Sequence, residues 1–228
     1  MSLEVAKELL RELRMTHSID NIDHLLETAL KEEWTCLEFM KRVLSEEVRF
    51  RQCKALETRL RQAQFPYQAT LDDFDFNFQT SVSKRQIQQL LDFQWIDKAY
   101  NVLFLGPPGV GKTHLAVGLA MQALRSGMTV YYTSLAHLIA DLEKAAQQGK
   151  LERRWHVYTR PDILIIDEVG YMQLDRASAE LLFRAICSRY ENGSIILTSN
   201  KYFSDWGELM NDTVIATAIL DRLLHHAH

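Results

Sequence analysis

The run NVLFLGPPGVGKT (101–113) constrains this chain more than any other stretch. A short apolar segment leads into Gly106-Pro107-Pro108-Gly109-Val110-Gly111-Lys112-Thr113, which matches G-x-x-x-x-G-K-[ST] at every fixed position. Glycines at these spacings let successive backbone N–H groups converge on one point, and a helix opening at the end of the loop adds its positive end. Such a nest binds phosphate. It also needs a buried strand before it and a helix after it, which commits this part of the chain to α/β layering. Lys112 brings a point charge to the β- and γ-phosphates, and the Thr113 hydroxyl can complete a Mg²⁺ shell. With His114, which follows directly, the candidate nucleotide contacts run over 106–114. The plainer alternative is a glycine-rich turn that only starts a helix.

The rest of the chain after Asn101 keeps the same rhythm. NVLFL, TVYYT, ILIID and SIILTSN are short apolar runs without two-residue alternation, as strands buried on both faces require. Helical stretches such as THLAVGLAMQALRSG, SLAHLIADLEKAAQQGK and RASAELLFRAICSRYENG lie between them. The alternation predicts right-handed crossovers and a parallel sheet covered by helices on both sides. The run ILIIDE ends in Asp167 and Glu168. Parallel strands present their ends at one edge, so Asp167 is expected beside the Mg²⁺ and Glu168 beside the water that attacks the γ-phosphorus. Capping of a following helix is the competing reading for both. Asn200, closing SIILTSN, is expected to hydrogen-bond the γ-phosphate or that water, against the alternative of a turn-forming asparagine.

The first 65 residues read as helices only. Leu3, Ala6, Leu9, Leu10 and Leu13 recur at helical spacing, as do Ile22, Leu25, Leu26, Ala29 and Leu30. Thr35-Cys36-Leu37-Glu38 fits a capping box opening a long helix, its apolar side assigned to Leu37, Met40, Leu44, Val48 and Ala55. Two or three such helices cannot readily bury both faces alone, so they are expected to pack on something else or on DNA. Overall the chain carries a formal charge of −4, yet residues 40–64 hold seven bases against three acids, a local excess of four positive charges. Arg49, Arg51, Lys54, Arg59 and Arg61 are the candidate phosphate contacts there, with Lys150, Arg153 and Arg154 as a smaller cluster. Neither cluster interleaves aromatics, which favours duplex over single-stranded nucleic acid; a solvated helix face is the alternative for both. Segment 70–82, acidic and aromatic, reads as a linker lying against the next domain.

Three scattered cysteines without paired spacing argue against a disulfide framework or a zinc site. The terminal histidines, His225, His226 and His228, read as solvated rather than metal-binding. No apolar run reaches membrane-spanning length and the N-terminus lacks a secretory core, so a cytoplasmic protein with no membrane partner is expected.

The loop, the acidic pair and the terminal asparagine together resemble the AAA+ class of ATPases. The match is closer still with the IstB/DnaC family. LSEEVRFRQCKALETRLRQAQFPYQATLDDFDF (44–76), NVLFLGPPGVGKTHLAVGLA, ILIIDEVGY, IILTSN and ILDRLLHHAH follow in the family's order, and the E-x-R helix running into A-x-F-P and FDF resembles IstB-like transposition helpers. This resemblance implies ATP and Mg²⁺ as cofactors, duplex DNA and a partner transposase, and a homo-oligomer formed with ATP and DNA. It also implies that Arg222 reaches the γ-phosphate of a neighbouring subunit, the intrinsic alternative being a charge on an amphipathic helix paired with Asp221. Family members run on past this helix with a further arginine, so the chain is expected to be truncated there, with hydrolysis impaired more than binding.

The expected organisation is a helical N-terminal domain (1–65) for DNA or a partner, a linker packing on the ATPase (66–100), and an AAA+ ATPase domain (101–228). The expected function is an ATPase that remodels duplex DNA for a transposase of a bacterial insertion sequence. A DnaC-like helicase loader is the nearest alternative. A small-molecule kinase would need an acceptor pocket and lid that the sequence does not offer, and intact Glu168 speaks against ATP as a static ligand.

Overall fold

A computed structural model describes residues 3–225 and Ala227. His226 and His228 of the terminal histidine group lie outside the described residues. The chain divides into two compact units, Met1–Thr58 and Arg59–His228.

The first unit holds α1 (Leu3–Glu12), α2 (Thr16–Lys31) and most of α3 (Cys36–Ala63). The capping box forms: Thr35 donates its N–H and its hydroxyl to the Glu38 carboxylate, both at 2.8 Å, and the Glu38 N–H returns to the Thr35 hydroxyl at 3.2 Å. Met15, Ile22, Leu25 and Val43 make a small core, with Leu10, Leu26, Trp34 and Phe39 packed around it. Here the apolar side assigned to α3 needs correcting. Leu37 (76%), Met40 (59%), Leu44 (49%) and Val48 (53%) stay exposed, and so does Ala55. The helix turns the face of Phe39, Val43 and Glu47 inward instead, because a carboxylate on that face has partners to meet.

Glu47 is 3% exposed. Its Oε2 accepts the Ser18 N–H at 2.9 Å and the Ser18 hydroxyl at 3.0 Å, in the first turn of α2, where amides lack helical partners. Its Oε1 accepts from Arg51 Nε at 2.9 Å, and Arg51 donates onward to the Leu13 and Arg14 carbonyls at the end of α1. One ion pair thus joins all three helices. The Arg51 side chain is still 53% exposed, so these bonds compete with the phosphate contact expected of it.

In the second unit, β1 (Val102–Leu105), β2 (Val130–Ser134), β3 (Ile163–Val169) and β4 (Ser194–Ser199) form one parallel sheet in the order β1-β4-β3-β2. Every residue of β4 is buried, and neighbours along a strand face opposite ways, so both faces of the sheet are covered as the uniform apolar runs predict. The helices are α4 (Lys84–Gln89), α5 (Gln94–Asp97), α6 (Lys112–Arg125), α7 (Leu135–Gln147), α8 (Leu151–Thr159), α9 (Arg176–Arg189), α10 (Trp206–Leu209) and α11 (Thr213–Leu224). Residues read as linker are built into this unit: Ile87 of α4 and Trp95 of α5 are each 3% exposed. The stretch before α4 is irregular but seated. A β-carbon at Gly118 would come within 2.8 Å of the Leu71 side chain, so glycine lets that stretch lie directly on α6. At the far end, Asn101 donates to the Leu223 carbonyl (3.1 Å) and accepts from the Ile195 N–H (3.0 Å), fixing the end of α11 to the start of β4.

Burial works to raise the Glu47 carboxyl, but the Ser18 N–H, Arg51 and the Ser18 hydroxyl outweigh it and hold it below its ordinary value of 4.5. A depressed carboxylate stabilises the fold above its unfolded pKa, and that contribution is lost as the pH falls through the folded one. Glu47→Ala is therefore expected to cost the N-terminal unit roughly 2–3 kcal/mol at neutral pH. Denaturant unfolding at pH 7 and below pH 4.5 checks it, since the gap between variant and parent must shrink in acid.

Candidate functional site

Strand β1 stops at Leu105 and the loop turns through Gly111, whose φ of +84° is left-handed and which starts α6. A side chain there would be strained, and its β-carbon would sit 2.6 Å from the Phe74 ring. Phe74 therefore rests on the loop itself. The Lys112 ammonium bends back onto the loop carbonyls of Gly106 (2.8 Å) and Pro107 (2.7 Å). Burial pulls its proton affinity down, and the nearby Asp167 charge works the other way.

Asp167, 2% exposed, collects hydroxyls from three elements. Thr113 on α6 donates to Oδ1 at 3.0 Å, Thr198 on β4 donates to the same oxygen, and Tyr132 on β2 donates to Oδ2 at 2.6 Å. Thr113 spends its hydrogen on Asp167 and keeps its oxygen lone pairs. A hydroxyl and a carboxylate oxygen side by side are the hard donors that Mg²⁺ takes, so Thr113 and Asp167 fit that ion. Among the described residues no group of three or more His, Cys, Asp or Glu forms an all-protein metal cage, and Mg²⁺ bound with nucleotide needs none.

Glu168 is turned out of the sheet by a register irregularity between Ile166 and Val169. Its φ is +63°, its N–H donates to the Thr198 hydroxyl at 3.1 Å, and it alone on β3 escapes burial. A bulge re-aims a side chain in this way. Asn200 follows β4 beside the end of β3, and its N–H donates to the Val169 carbonyl at 3.3 Å. Among the described residues its buried Oδ1 has no partner, and it packs where Gly170 leaves room, since a β-carbon at Gly170 would lie 2.3 Å away. A buried acceptor without a donor is uncommon enough to mark a place for a ligand or water.

Lys112, Thr113, Asp167, Glu168 and Asn200 thus gather at the ends of adjacent strands. His114 is used differently: its Nε2 lies 2.7 Å from the Thr70 carbonyl, and its ring meets Phe74. Arg222 stands apart. It lies over the Phe183 ring at 5.1 Å, donates to the Ala218 carbonyl at 3.2 Å, and joins none of the loop's hydrogen bonds. Sequence reasoning missed Gln79, Ser81 and Val82, which with Val110 and Leu115 line a cleft of about 490 Å³ running to Lys112. It also missed Tyr132 and Thr198, whose hydroxyls carry no motif. A larger hollow of about 700 Å³ between α4, α5 and β1 is lined by Ile87, Leu90 and Trp95, with Lys98 among its polar side chains.

Of the basic side chains, Arg154 is bound to Asp141, which also takes the Tyr158 hydroxyl at 2.6 Å. Lys150 and Arg153 remain exposed around a recess that Lys144 also lines. Arg49 and Arg61 are exposed, Lys54 lies over the Phe50 ring at 4.6 Å, and Arg59 is half-buried. Among the described residues no helix is long and apolar enough to cross a membrane.

The fold is that of AAA+ ATPases. It is shared with DnaI, at a TM-score of 0.60 and 18% identity over 70% of this chain and 88% of that one. AMPPCP-bound DnaA from Aquifex aeolicus scores 0.57 at 18% identity, over 68% and 48%. In sequence the chain is 48% identical over 190 residues to the insertion sequence IS5376 ATP-binding protein of Geobacillus stearothermophilus, covering 83% of this chain and 76% of that protein. It is 45% identical to the insertion sequence IS21 ATP-binding protein of Pseudomonas aeruginosa, over 96% and 83%. The model of the IstB-like ATP binding proteins matches residues 8–228. A loop built for phosphate and a match over nearly the whole chain agree: this protein belongs to the IstB-like ATP binding proteins of insertion sequences, on an AAA+ fold.

Proposed function

We propose that the chain hydrolyses ATP and assembles with further copies of itself on duplex DNA, to assist the transposase of a bacterial insertion sequence. The observation that carries the hydrolytic part is the pairing of Thr113 with Asp167 at 3.0 Å, with Glu168 turned out beside them. In this reading Lys112 leaves the carbonyls of Gly106 and Pro107 for the phosphate oxygens, and the loop amides hold the rest of the triphosphate. The cleft at Gln79, Ser81 and Val82 takes the base. Thr113 and Asp167 would hold Mg²⁺, which would supply charge neutralisation on the triphosphate. Glu168 orients the water and accepts its proton as the water oxygen bonds to the γ-phosphorus. The bond to the bridging oxygen breaks, giving ADP and phosphate. Asn200 offers its free Oδ1 to the same water.

Arg222 points to the oligomer. An always-charged planar fork suits charge that builds in the transition state, yet this one takes no part in its own chain's loop. A neighbour's nucleotide gives it that role. The relatives named for insertion sequences support a DNA-linked task, and Arg49, Lys54, Arg59, Arg61, Lys144, Lys150 and Arg153 supply charge for backbone phosphates. Arg51 and Arg154, committed to Glu47 and Asp141, contribute less.

Sizing the protein with duplex DNA and a non-hydrolysable ATP analogue tests the assembly. Growth in mass is expected only with both present. Growth without DNA, or only with a replicative helicase, favours the loader reading instead, and no growth overturns the proposal. A mixing experiment tests the shared site. Glu168→Gln and Arg222→Ala are each expected to lose at least about 1,000-fold in turnover. Mixed in equal amounts, they should regain activity through sites combining Glu168 of one subunit with Arg222 of the next. No recovery on mixing removes Arg222 from the reaction.

A further inference from the structure

The Asp167 carboxylate has about four acceptor positions on its two oxygens. Thr113 and Thr198 occupy Oδ1 and Tyr132 occupies Oδ2, so three are already taken by the protein. We infer that Tyr132 is a positioning residue for the cation site: its hydroxyl holds the second oxygen of Asp167 and leaves one acceptor position on Oδ2 for a cation. This rests on the proposed reading of that site as one for ATP with Mg²⁺.

Packing alone does not require a tyrosine here. The ring of Tyr132 meets Phe65 edge-on at 6.5 Å, a contact that phenylalanine makes equally well. The hydroxyl is the costly part, since burying it without a partner is unfavourable. Asp167 is the partner that offsets this. Rotation about Cβ–Cγ moves both carboxylate oxygens together, so the two threonines on Oδ1 and Tyr132 on Oδ2 restrain the same rotation from opposite ends. The register of β2 on β3 brings this about, with Tyr132 opposite Ile165 and Ser134 opposite Asp167, so the phenol reaches along the sheet edge to the carboxylate.

Outer partners of metal-binding groups set affinity by fixing orientation. The test is a fluorescence titration of a ribose-labelled ATP analogue with wild type and Tyr132→Phe, first in EDTA and then across a Mg²⁺ series. Thermal melting checks that the variant remains folded. Affinity in EDTA is expected to be unchanged, while the Mg²⁺ midpoint rises about tenfold. An unchanged midpoint overturns the inference. So does equal weakening with and without Mg²⁺, which marks damage to the whole loop. If Mg²⁺ has no effect on nucleotide binding by the wild type, the metal reading of the site fails first and takes this inference with it.

Discussion

A buried carboxylate holds the nucleotide side of this molecule together. Asp167 is almost wholly out of water, where an unpaired charge is costly, and among the described residues no basic side chain bonds it. Three hydroxyls do so instead, one each from β2, α6 and β4. The helix that follows the phosphate loop is therefore tied to the middle of the sheet by the same group that is proposed to hold the cation. Hydroxyls suit this better than a lysine or arginine would, because they satisfy the carboxylate without cancelling its charge.

The opposite end of the sheet is pinned by the converse arrangement. Arg189, 1% exposed, donates to the carbonyls of Tyr158, Thr159, Asp162 and Ser194, closing the end of α8 and the starts of β3 and β4. Burial pulls its proton affinity down to about 10, so it remains charged at neutral pH. Gly193 leaves room for this guanidinium, since a β-carbon would lie 2.5 Å from it. With both ends of β3 and β4 held, the bulge at Glu168 and the free amide oxygen of Asn200 sit on a frame that cannot slide.

The N-terminal unit uses its charges inwardly as well. Counting bases along α3 places Arg51 among residues facing phosphate, but the fold commits it to Glu47 and to the end of α1. Arg154 is likewise taken by Asp141. Composition counts charges without their partners, and helices far apart in sequence supply those partners. The apolar row Leu37, Met40, Leu44 and Val48 misleads for a related reason: Glu47 and Val43 face the core, and the row lies to one side of them.

The sequence by itself determined the phosphate loop, the four buried strands, the acidic pair and the asparagine beside it, because each depends on local residue type and on the edge that all parallel strands share. Thr35 and Glu38 were legible for the same reason, as partners three residues apart. Only the tertiary structure decided which hydroxyls close on Asp167, how Glu168 leaves the sheet, which linker residues line the cleft, and that Arg222 stands away from its own loop. Those depend on register between strands and on contacts across 30 or more positions. Tyrosine, threonine and arginine are common on any strand or helix, and nothing in their own neighbourhood marks the ones that meet.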